Sequence, residues 1–320
     1  MSKFSLRTAL RLVAAAALAT ATMSVVGAPA AQAATTCAGA GQAPVLVANV
    51  PGAALEGLTV DPGGRLYTTD LISGRVFRID RPGAGAVPVA TVPDGGGGAL
   101  AWTPDGTLLV GYGADARVFA GDVLRAASIA KFSPSTGQLT PFVTGLSAAN
   151  GLAVAANGTI YATNDFGALV GRVFPNGAVQ PDWASLPSAN GAVLGNNDTY
   201  LYVSRTFVNP GVSRIPVDNP GAPQSLVTFG GGDVIAAADG LTLDSLNRPI
   251  VPTDVSGEIL RVDGPNRFCA LASGLPASSV VSYGRGDAGF SKGRLFRAGF
   301  DGNIYEIPGG FDPNASAAAP

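Results

Sequence analysis

Apolar and polar residues follow a pattern that recurs six times along this chain. Each copy has an apolar strand, a turn rich in Gly, Asn, Asp or Pro, and an alternating second strand, as in EGLTVDPGGRLYTTD and NGLAVAANGTIYATND; the sixth copy is divergent. Alternation with a period of two, bounded by turn residues, indicates β-strands. The six copies begin at Glu56, Gly98, Asn150, Asn190, Asp239 and Ser279.

The spacing of the copies predicts the architecture. Their first residues are 42, 52, 40, 49 and 40 positions apart, which is the period of four-stranded propeller blades. The last copy lacks a fourth strand of its own, whereas the segment Val45–Asn49 resembles the outer strands of the other copies. The sequence therefore predicts an all-β, six-bladed β-propeller whose ring is closed by an N-terminal outer strand in the last blade, which removes open sheet edges.

The two ends of the chain are predicted to lie outside the propeller. Three basic residues, an apolar stretch beginning at Leu12 and the sequence Ala-Gln-Ala at 31–33 are typical of a secretory signal peptide. We therefore predict a signal peptide over 1–33, a propeller over 34–310 and a flexible C-terminal tail over 311–320. The protein is expected to be secreted or extracytoplasmic, without a membrane span.

Charge and composition exclude several classes of function. Without the leader the chain has 17 Lys and Arg against 22 Asp and Glu, so a nucleic-acid partner is not expected. Histidine is absent, which excludes Ser-His-Asp and Cys-His catalysis and most zinc, iron or copper sites. The two cysteines, Cys37 and Cys269, are predicted to form one disulfide in an oxidising compartment, with two buried thiols as the alternative.

Four of the six leading residues suggest a metal site. In a propeller the first strand of each blade lines the central channel, so Glu56, Asn150, Asn190 and Asp239 should converge there. Two carboxylates and two amide oxygens suit one divalent cation: Ca²⁺ first, with Mg²⁺, Mn²⁺ or Zn²⁺ as alternatives. Each of the four precedes a glycine, so a simple turn dipeptide is the competing interpretation of any single copy. Their common phase in the repeat favours the metal site.

These segments resemble the senescence-marker-protein/gluconolactonase family of six-bladed propellers. The resemblance rests on EGLTVDPGGRLYTTDLISGRVFRID, ANGLAVAANGTIYATND and ADGLTLDSLNRPIVPTDVSGEILRVD and extends over nearly the whole mature chain. It implies that Glu56, Asn150, Asn190 and Asp239 bind one catalytic divalent cation. It further implies hydrolysis of a small-molecule lactone or related ester, with Asp239 as the general base. Separately, we expect the protein to be a monomer.

Three features depart from the related enzymes. Sugar lactonases of the family place an arginine where this chain has Ala148, and paraoxonases place acidic residues where it has Gly57 and Gly151 and also use histidines. A polar sugar acid is therefore a doubtful substrate. The alternative functions are a non-catalytic, metal-stabilised binding or scaffold propeller of the cell envelope, and a strictosidine-synthase-like propeller.

The second strands of three copies end in aspartate. Asp70, Asp165 and Asp254 occupy these positions. Asp commonly accepts hydrogen bonds from the backbone of a turn, so we interpret all three as turn caps.

Overall fold

The computed structural model describes residues 34–113, 115–229 and 236–318. The predicted signal peptide, 1–33, lies outside these ranges. Within them the chain forms six antiparallel four-stranded sheets arranged as a β-propeller, as the sequence predicts. The described helical structure consists of short turns only, at Ala116–Ala120, Gly121–Leu124 and Pro308–Gly310.

Each blade uses consecutive strands, numbered here in chain order. Blade 1 contains β2 Leu55–Val60, β3 Leu66–Asp70, β4 Arg75–Ile79 and β5 Val87–Thr91. Blade 2 contains β6 Gly97–Trp102, β7 Leu108–Tyr112, β8 Ala127–Ser133 and β9 Gln138–Leu146. Blade 3 contains β10 Leu152–Val154, β11 Ile160–Ala162, β12 Leu169–Val173 and β13 Val179–Ser185.

The other three blades follow the same plan, except for the outer strand of the last. Blade 4 contains β14 Ala189–Leu194, β15 Tyr200–Arg205, β16 Gly211–Pro216 and β17 Gln224–Thr228. Blade 5 contains β18 Thr242–Leu243, β19 Pro249–Pro252, β20 Ile259–Gly264 and β21 Arg267–Ala272. Blade 6 contains β22 Ser278–Tyr283, β23 Leu295–Gly299, β24 Asn303–Glu306 and β1 Val45–Asn49.

The N-terminal strand closes the ring as predicted. Strand β1 pairs antiparallel with β24, with Val45 opposite Glu306 and Asn49 opposite Asn303. Just before it, Thr36 bridges to Ala270 on blade 5. The chain therefore runs from the outer edge of blade 5 to that of blade 6. Strand β1 completes the four strands of blade 6 and covers the edge that β24 would otherwise expose.

The predicted disulfide is present next to this closure. Cys37 and Cys269 are bonded, with their Cα atoms 4.9 Å apart and 232 positions between them in the sequence. Cys37 N also donates to Ala270 O at 2.8 Å. The bond joins the start of the propeller to blade 5 and restricts the unfolded chain over most of its length.

The described part of the C-terminal segment differs from the flexible tail predicted for 311–320. Gly293 N donates to Ala315 O and Ala317 N donates to Gly284 O, both at 3.0 Å, and Ala315 and Ala317 are buried. Asp312 accepts from both the backbone N and the hydroxyl of Ser245. The small Ala and Ser side chains of this segment form no apolar pattern from which packing could be predicted. Because they are small, the backbone of the segment can lie close to blade 6.

Apolar side chains fill the spaces between adjacent blades. One such core cluster joins Leu66 and Phe77 of blade 1 to Phe296 and Ile304 of blade 6. Contacts between inner strands continue around the ring, and β2 of blade 1 meets β22 of blade 6. This packing holds the six inner strands around one central channel. None of the described helices is long and apolar enough to cross a membrane.

Candidate functional site

The inner strands are irregular where the candidate ligands lie. The pairing of β2 with β3 shifts register between Leu55 and Leu58, and that of β14 with β15 shifts between Ala189 and Ala192. Glu56 and Asn190 lie within these shifts. A β-bulge changes the direction of a side chain locally and is common beside functional sites.

The glycines after the four candidate ligands allow neighbouring blades to approach closely. A Cβ on Gly57 would lie 2.6 Å from Gly98 O, and one on Gly151 would lie 2.4 Å from Asn190 O. A Cβ on Gly191 would lie 2.7 Å from Gly240 Cα. None of these four residues, Gly57, Gly151, Gly191 and Gly240, has a positive φ. The structure therefore favours close strand packing over the turn-dipeptide interpretation.

The channel contains a cavity of about 390 Å³ whose wall includes Glu56, Asn150 and Asp239. Asn190 is buried beside it, 2% exposed. Burial raises the pKa of Asp239, and a hydrogen bond from Asn190 opposes this rise, which places the two side chains together. The two remaining leading positions contribute differently. Gly98 has no side chain, and the Ser279 hydroxyl donates to Leu55 O at 2.5 Å, which links blade 6 to blade 1.

Several buried oxygens at the end of the channel where the inner strands begin have no hydrogen-bond partner within the structure. They are Glu56 Oε2, Asn190 Oδ1, Asp239 Oδ1, Asp165 Oδ1 and Asp254 Oδ1. Buried polar atoms are nearly always satisfied in folded proteins, because leaving one unpaired costs about 1–3 kcal/mol. Five such oxygens together indicate a site for a cation or for a ligand that donates hydrogen bonds.

The acids of the site also lack a positive partner. None of the ion pairs found among the described residues includes Glu56, Asp165, Asp239 or Asp254. Burial raises the pKa of Glu56 well above its usual value, and the charges of Asp239 and Asp165 raise it further. Burial likewise raises the pKa of Asp165 to about 7. Carboxylates brought together in a poorly solvated channel repel one another unless protons or a cation neutralise them.

Two of the three strand-end aspartates were interpreted incorrectly as turn caps. Asp70 does cap its turn, since its carboxylate accepts from the backbone N atoms of Ala54, Ile72 and Ser73. Asp165 and Asp254 instead each keep one buried oxygen without a partner, and both interact electrostatically with Glu56. Burial raises the pKa of Asp254, and the nearby charges of Asp239 and Glu56 raise it further. Both acids belong to the candidate site.

The donor set fits a hard divalent cation only if the amides take part. Among the residues that the structure describes, no group of three or more Asp, Glu or Cys side chains is arranged to hold a metal ion. Glu56 and Asp239 therefore need the oxygens of Asn150 and Asn190 to complete a shell. Mixed carboxylate and amide oxygens are typical of calcium sites.

Thr206 orients one of these amides. Asn190 Nδ2 donates to Thr206 Oγ1 at 2.9 Å, and the Thr206 hydroxyl donates to Ala238 O at 2.8 Å. Because that hydroxyl proton is already used, Thr206 can only accept from Asn190. This arrangement fixes the amide nitrogen on Thr206 and leaves Asn190 Oδ1 free for a ligand.

On the sequence-based hypothesis that this site binds calcium, replacing Thr206 with valine is expected to weaken that binding about 10- to 100-fold, the usual cost of losing a group that orients a metal ligand. The amide of Asn190 would then be free to rotate. Calorimetric titration with Ca²⁺ measures the change, and Thr206→Ser, which keeps the hydroxyl, should bind nearly as the wild type does. Equal affinity in the valine variant would show that Thr206 does not position Asn190.

Comparisons with known proteins support the fold. The structure is similar to a gluconolactonase from Xanthomonas campestris, with a TM-score of 0.65, 17% identity, and coverage of 89% of this chain and 99% of that one. It is similar to the calcium-binding protein regucalcin from Agrobacterium tumefaciens, with a TM-score of 0.63, 18% identity, and coverage of 83% and 93%. Virginiamycin B lyase from Staphylococcus aureus is also similar, with a TM-score of 0.55, 17% identity, and coverage of 83% and 87%. No protein-family profile and no curated protein matches the chain.

The fold and site thus define the class: a six-bladed β-propeller with an acidic channel. Among solved structures, those like it include gluconolactonase and regucalcin propellers, the kind that the sequence resembles.

Proposed function

We propose that this protein is a metal-dependent hydrolase of lactones or related esters. In this proposal Glu56, Asn150, Asn190 and Asp239 bind one divalent cation, with Ca²⁺ as the first choice. The observation that carries the proposal is the set of buried, unpartnered oxygens on acids without a positive partner. The likeness in fold to a gluconolactonase and to a calcium-binding regucalcin supports it.

A bound divalent cation would polarise the carbonyl of the substrate and stabilise the negative charge that develops on its oxygen. We assign Asp239 the role of general base. Burial raises the pKa values of both Asp239 and Asp254, and the charge of Asp239 raises that of Asp254 further. A divalent cation at the Asp239 carboxylate would favour its charged form, which is the form that accepts a proton.

The absence of histidine argues against a lyase activity like that of virginiamycin B lyase, which has a similar fold. One solved form of virginiamycin B lyase is catalytically inactive and has a histidine replaced by alanine, whereas this chain contains no histidine. A lyase reaction of that kind is therefore not proposed. The competing function is a scaffold propeller in which the cation only stabilises the channel.

We further propose an extracytoplasmic location for a monomeric protein. The disulfide between Cys37 and Cys269 supports this location, because such bonds persist mainly in oxidising compartments.

Elemental analysis of the purified protein, followed by a panel of lactones and aryl esters, tests the function. We expect about one divalent cation per chain and hydrolysis that a chelator abolishes and added Ca²⁺ restores. Stoichiometric metal without hydrolysis of any panel member would favour the scaffold. Hydrolysis that is unaffected by complete metal removal would contradict the metal-dependent mechanism.

A further inference from the structure

Exposed apolar side chains are concentrated at one end of the propeller. Eight of the thirteen large apolar residues exposed in the described chain lie in loops that join second strands to third strands. We call six of them the apolar rim: Ile72, Phe119, Val123, Phe166, Phe207 and Val255. They come from blades 1 to 5. Exposed apolar groups that cluster in this way commonly mark a binding surface.

Three of the rim residues form a continuous aromatic surface. The ring centroids of Phe119 and Phe166 are 4.3 Å apart, and those of Phe166 and Phe207 are 5.0 Å apart in a stacked arrangement. These rings belong to three different blades, 2, 3 and 4, so their contacts arise from the fold and are not local in sequence.

The segment that carries Phe119 is fixed in place by blade 3. Asn164 Nδ2 donates to Val118 O at 3.0 Å. Asp122 accepts from the Ser147 hydroxyl at 2.6 Å and from Ala168 N at 2.7 Å. The aromatic surface is therefore organised before any ligand arrives, which lowers the entropy cost of binding.

The rim lies at the end of the channel that holds the unpartnered oxygens. Phe166 directly follows Asp165, and Val255 directly follows Asp254, two acids that each hold one of the unpartnered oxygens. Phe207 directly follows Thr206, which holds the Asn190 amide.

The arginines beside the rim are already engaged with acids: Arg117 pairs with Asp115 at 2.8 Å and Arg125 with Asp182 at 3.9 Å. Ala148 is buried, and Arg205 is buried too, with its guanidinium donating to Val227 O and to the hydroxyls of Ser225 and Thr228 on the outer part of blade 4. The apolar rim therefore offers mainly apolar contacts to a substrate.

We propose that the apolar rim binds the alkyl or aryl part of the substrate, so that the substrates are hydrophobic esters or lactones and not sugar lactones. This inference rests on the proposed hydrolase function and specifies its substrate class. Phe119, Phe166 and Phe207 form the surface against which the apolar substituent packs.

The first test compares esters that differ only in chain length. For p-nitrophenyl esters from acetate to octanoate, each methylene buried on the rings should raise kcat/KM by up to about fourfold. The double variant Phe166→Ser/Phe207→Ser should reduce the octanoate-to-acetate ratio of kcat/KM by about tenfold or more. Phe311→Ser, at an aromatic residue that is exposed away from these loops, is the matched control and should keep the wild-type ratio. An unchanged ratio in the double variant would overturn the proposal.

The second test measures binding without hydrolysis. Lactams with and without an alkyl chain carry the same ring, so calorimetry should show tighter binding of the alkylated lactam to the wild type and loss of that preference in the double variant. If no ester is hydrolysed but this preference is present, the rim proposal stands and the hydrolase proposal fails. If the alkyl chain gives no gain in binding, or if the wild type sediments as a dimer that the double variant dissociates, the rim is not a substrate surface.

Discussion

Asp239→Asn is expected to weaken calcium binding at least about 100-fold and to lower kcat for ester hydrolysis by about 10² to 10⁴. The first effect follows because the residue is a proposed direct ligand, and loss of even an indirect partner costs about 10- to 100-fold. The second is the usual contribution of a general base. Calcium titration by calorimetry and steady-state kinetics at saturating calcium measure the two effects separately.

The same substitution should raise the stability of the metal-free protein at neutral pH. Asp239 is buried together with Asp165 and Glu56 and lies near the half-buried Asp254, and its charge raises the pKa values of Glu56 and Asp254. Removing one of these like charges relieves repulsion in the channel. A variant that loses calcium affinity while its metal-free form gains stability distinguishes a metal ligand from an ordinary structural aspartate.

Asp70→Asn is the matched control. Asp70 is buried to the same degree as Glu56, at 6% exposed, but its carboxylate caps the turn of blade 1. Loss of a cap costs about 1 kcal/mol, so this variant should be less stable and bind calcium as the wild type does. If Asp239→Asn behaves like Asp70→Asn in both measurements, Asp239 is neither ligand nor base.

The sequence was sufficient to predict the six-bladed ring because each blade repeats the same pattern of apolar and polar residues. The missing outer strand of the last copy and the apolar segment Val45–Asn49 together predicted the closure seen between β1 and β24. The residues at the start of each copy could be aligned in the same way. Positions related by a repeat in sequence become neighbours around the channel.

Asp165, Asp254 and Thr206 could not be assigned to the site by the same reasoning. They follow second strands, and only the fold shows that these strand ends and the inner-strand starts reach the same end of the channel. Asp70 ends the equivalent strand in blade 1 yet caps its own turn. Three-dimensional surroundings, not residue type, separate the two roles, although the recurrence of Thr-Asp or Asn-Asp at these ends was a usable signal.

Metal-free protein is expected to lose stability as the pH rises from 5 to 8. Burial raises the pKa values of Glu56, Asp239 and Asp254 in the folded state, and that of Asp165 to about 7 from an ordinary value of 3.8. Between the unfolded and folded pKa values the folded chain binds protons that the unfolded chain has released. Stability from these groups is therefore complete below about pH 4 and is lost as the pH rises through the folded-state values.

The size of the effect follows from the shift of Asp165 alone. A rise of about three pKa units corresponds to about 4 kcal/mol in the free energy of unfolding, of which about 3 kcal/mol is lost between pH 5 and the folded-state value of about 7. Because the chain has no histidine, no other side chain with an ordinary pKa titrates between pH 5 and 8. The acids with lowered pKa values, Asp105, Asp263 and Asp312, lose their protons below this window and leave the slope unchanged.

Calcium should reverse this dependence, because a cation replaces the protons that the channel acids would otherwise need. Urea unfolding at pH 5, 6, 7 and 8, in a chelator and in excess calcium, measures the free energy of unfolding under both conditions. We expect the calcium-induced gain to be small at pH 5 and largest at pH 8, and Asp239→Asn to flatten both curves. A metal-free protein whose stability is constant or increases from pH 5 to pH 8 would show that these acids are not buried together without a counter-charge, and the basis for a cation in the channel would be removed.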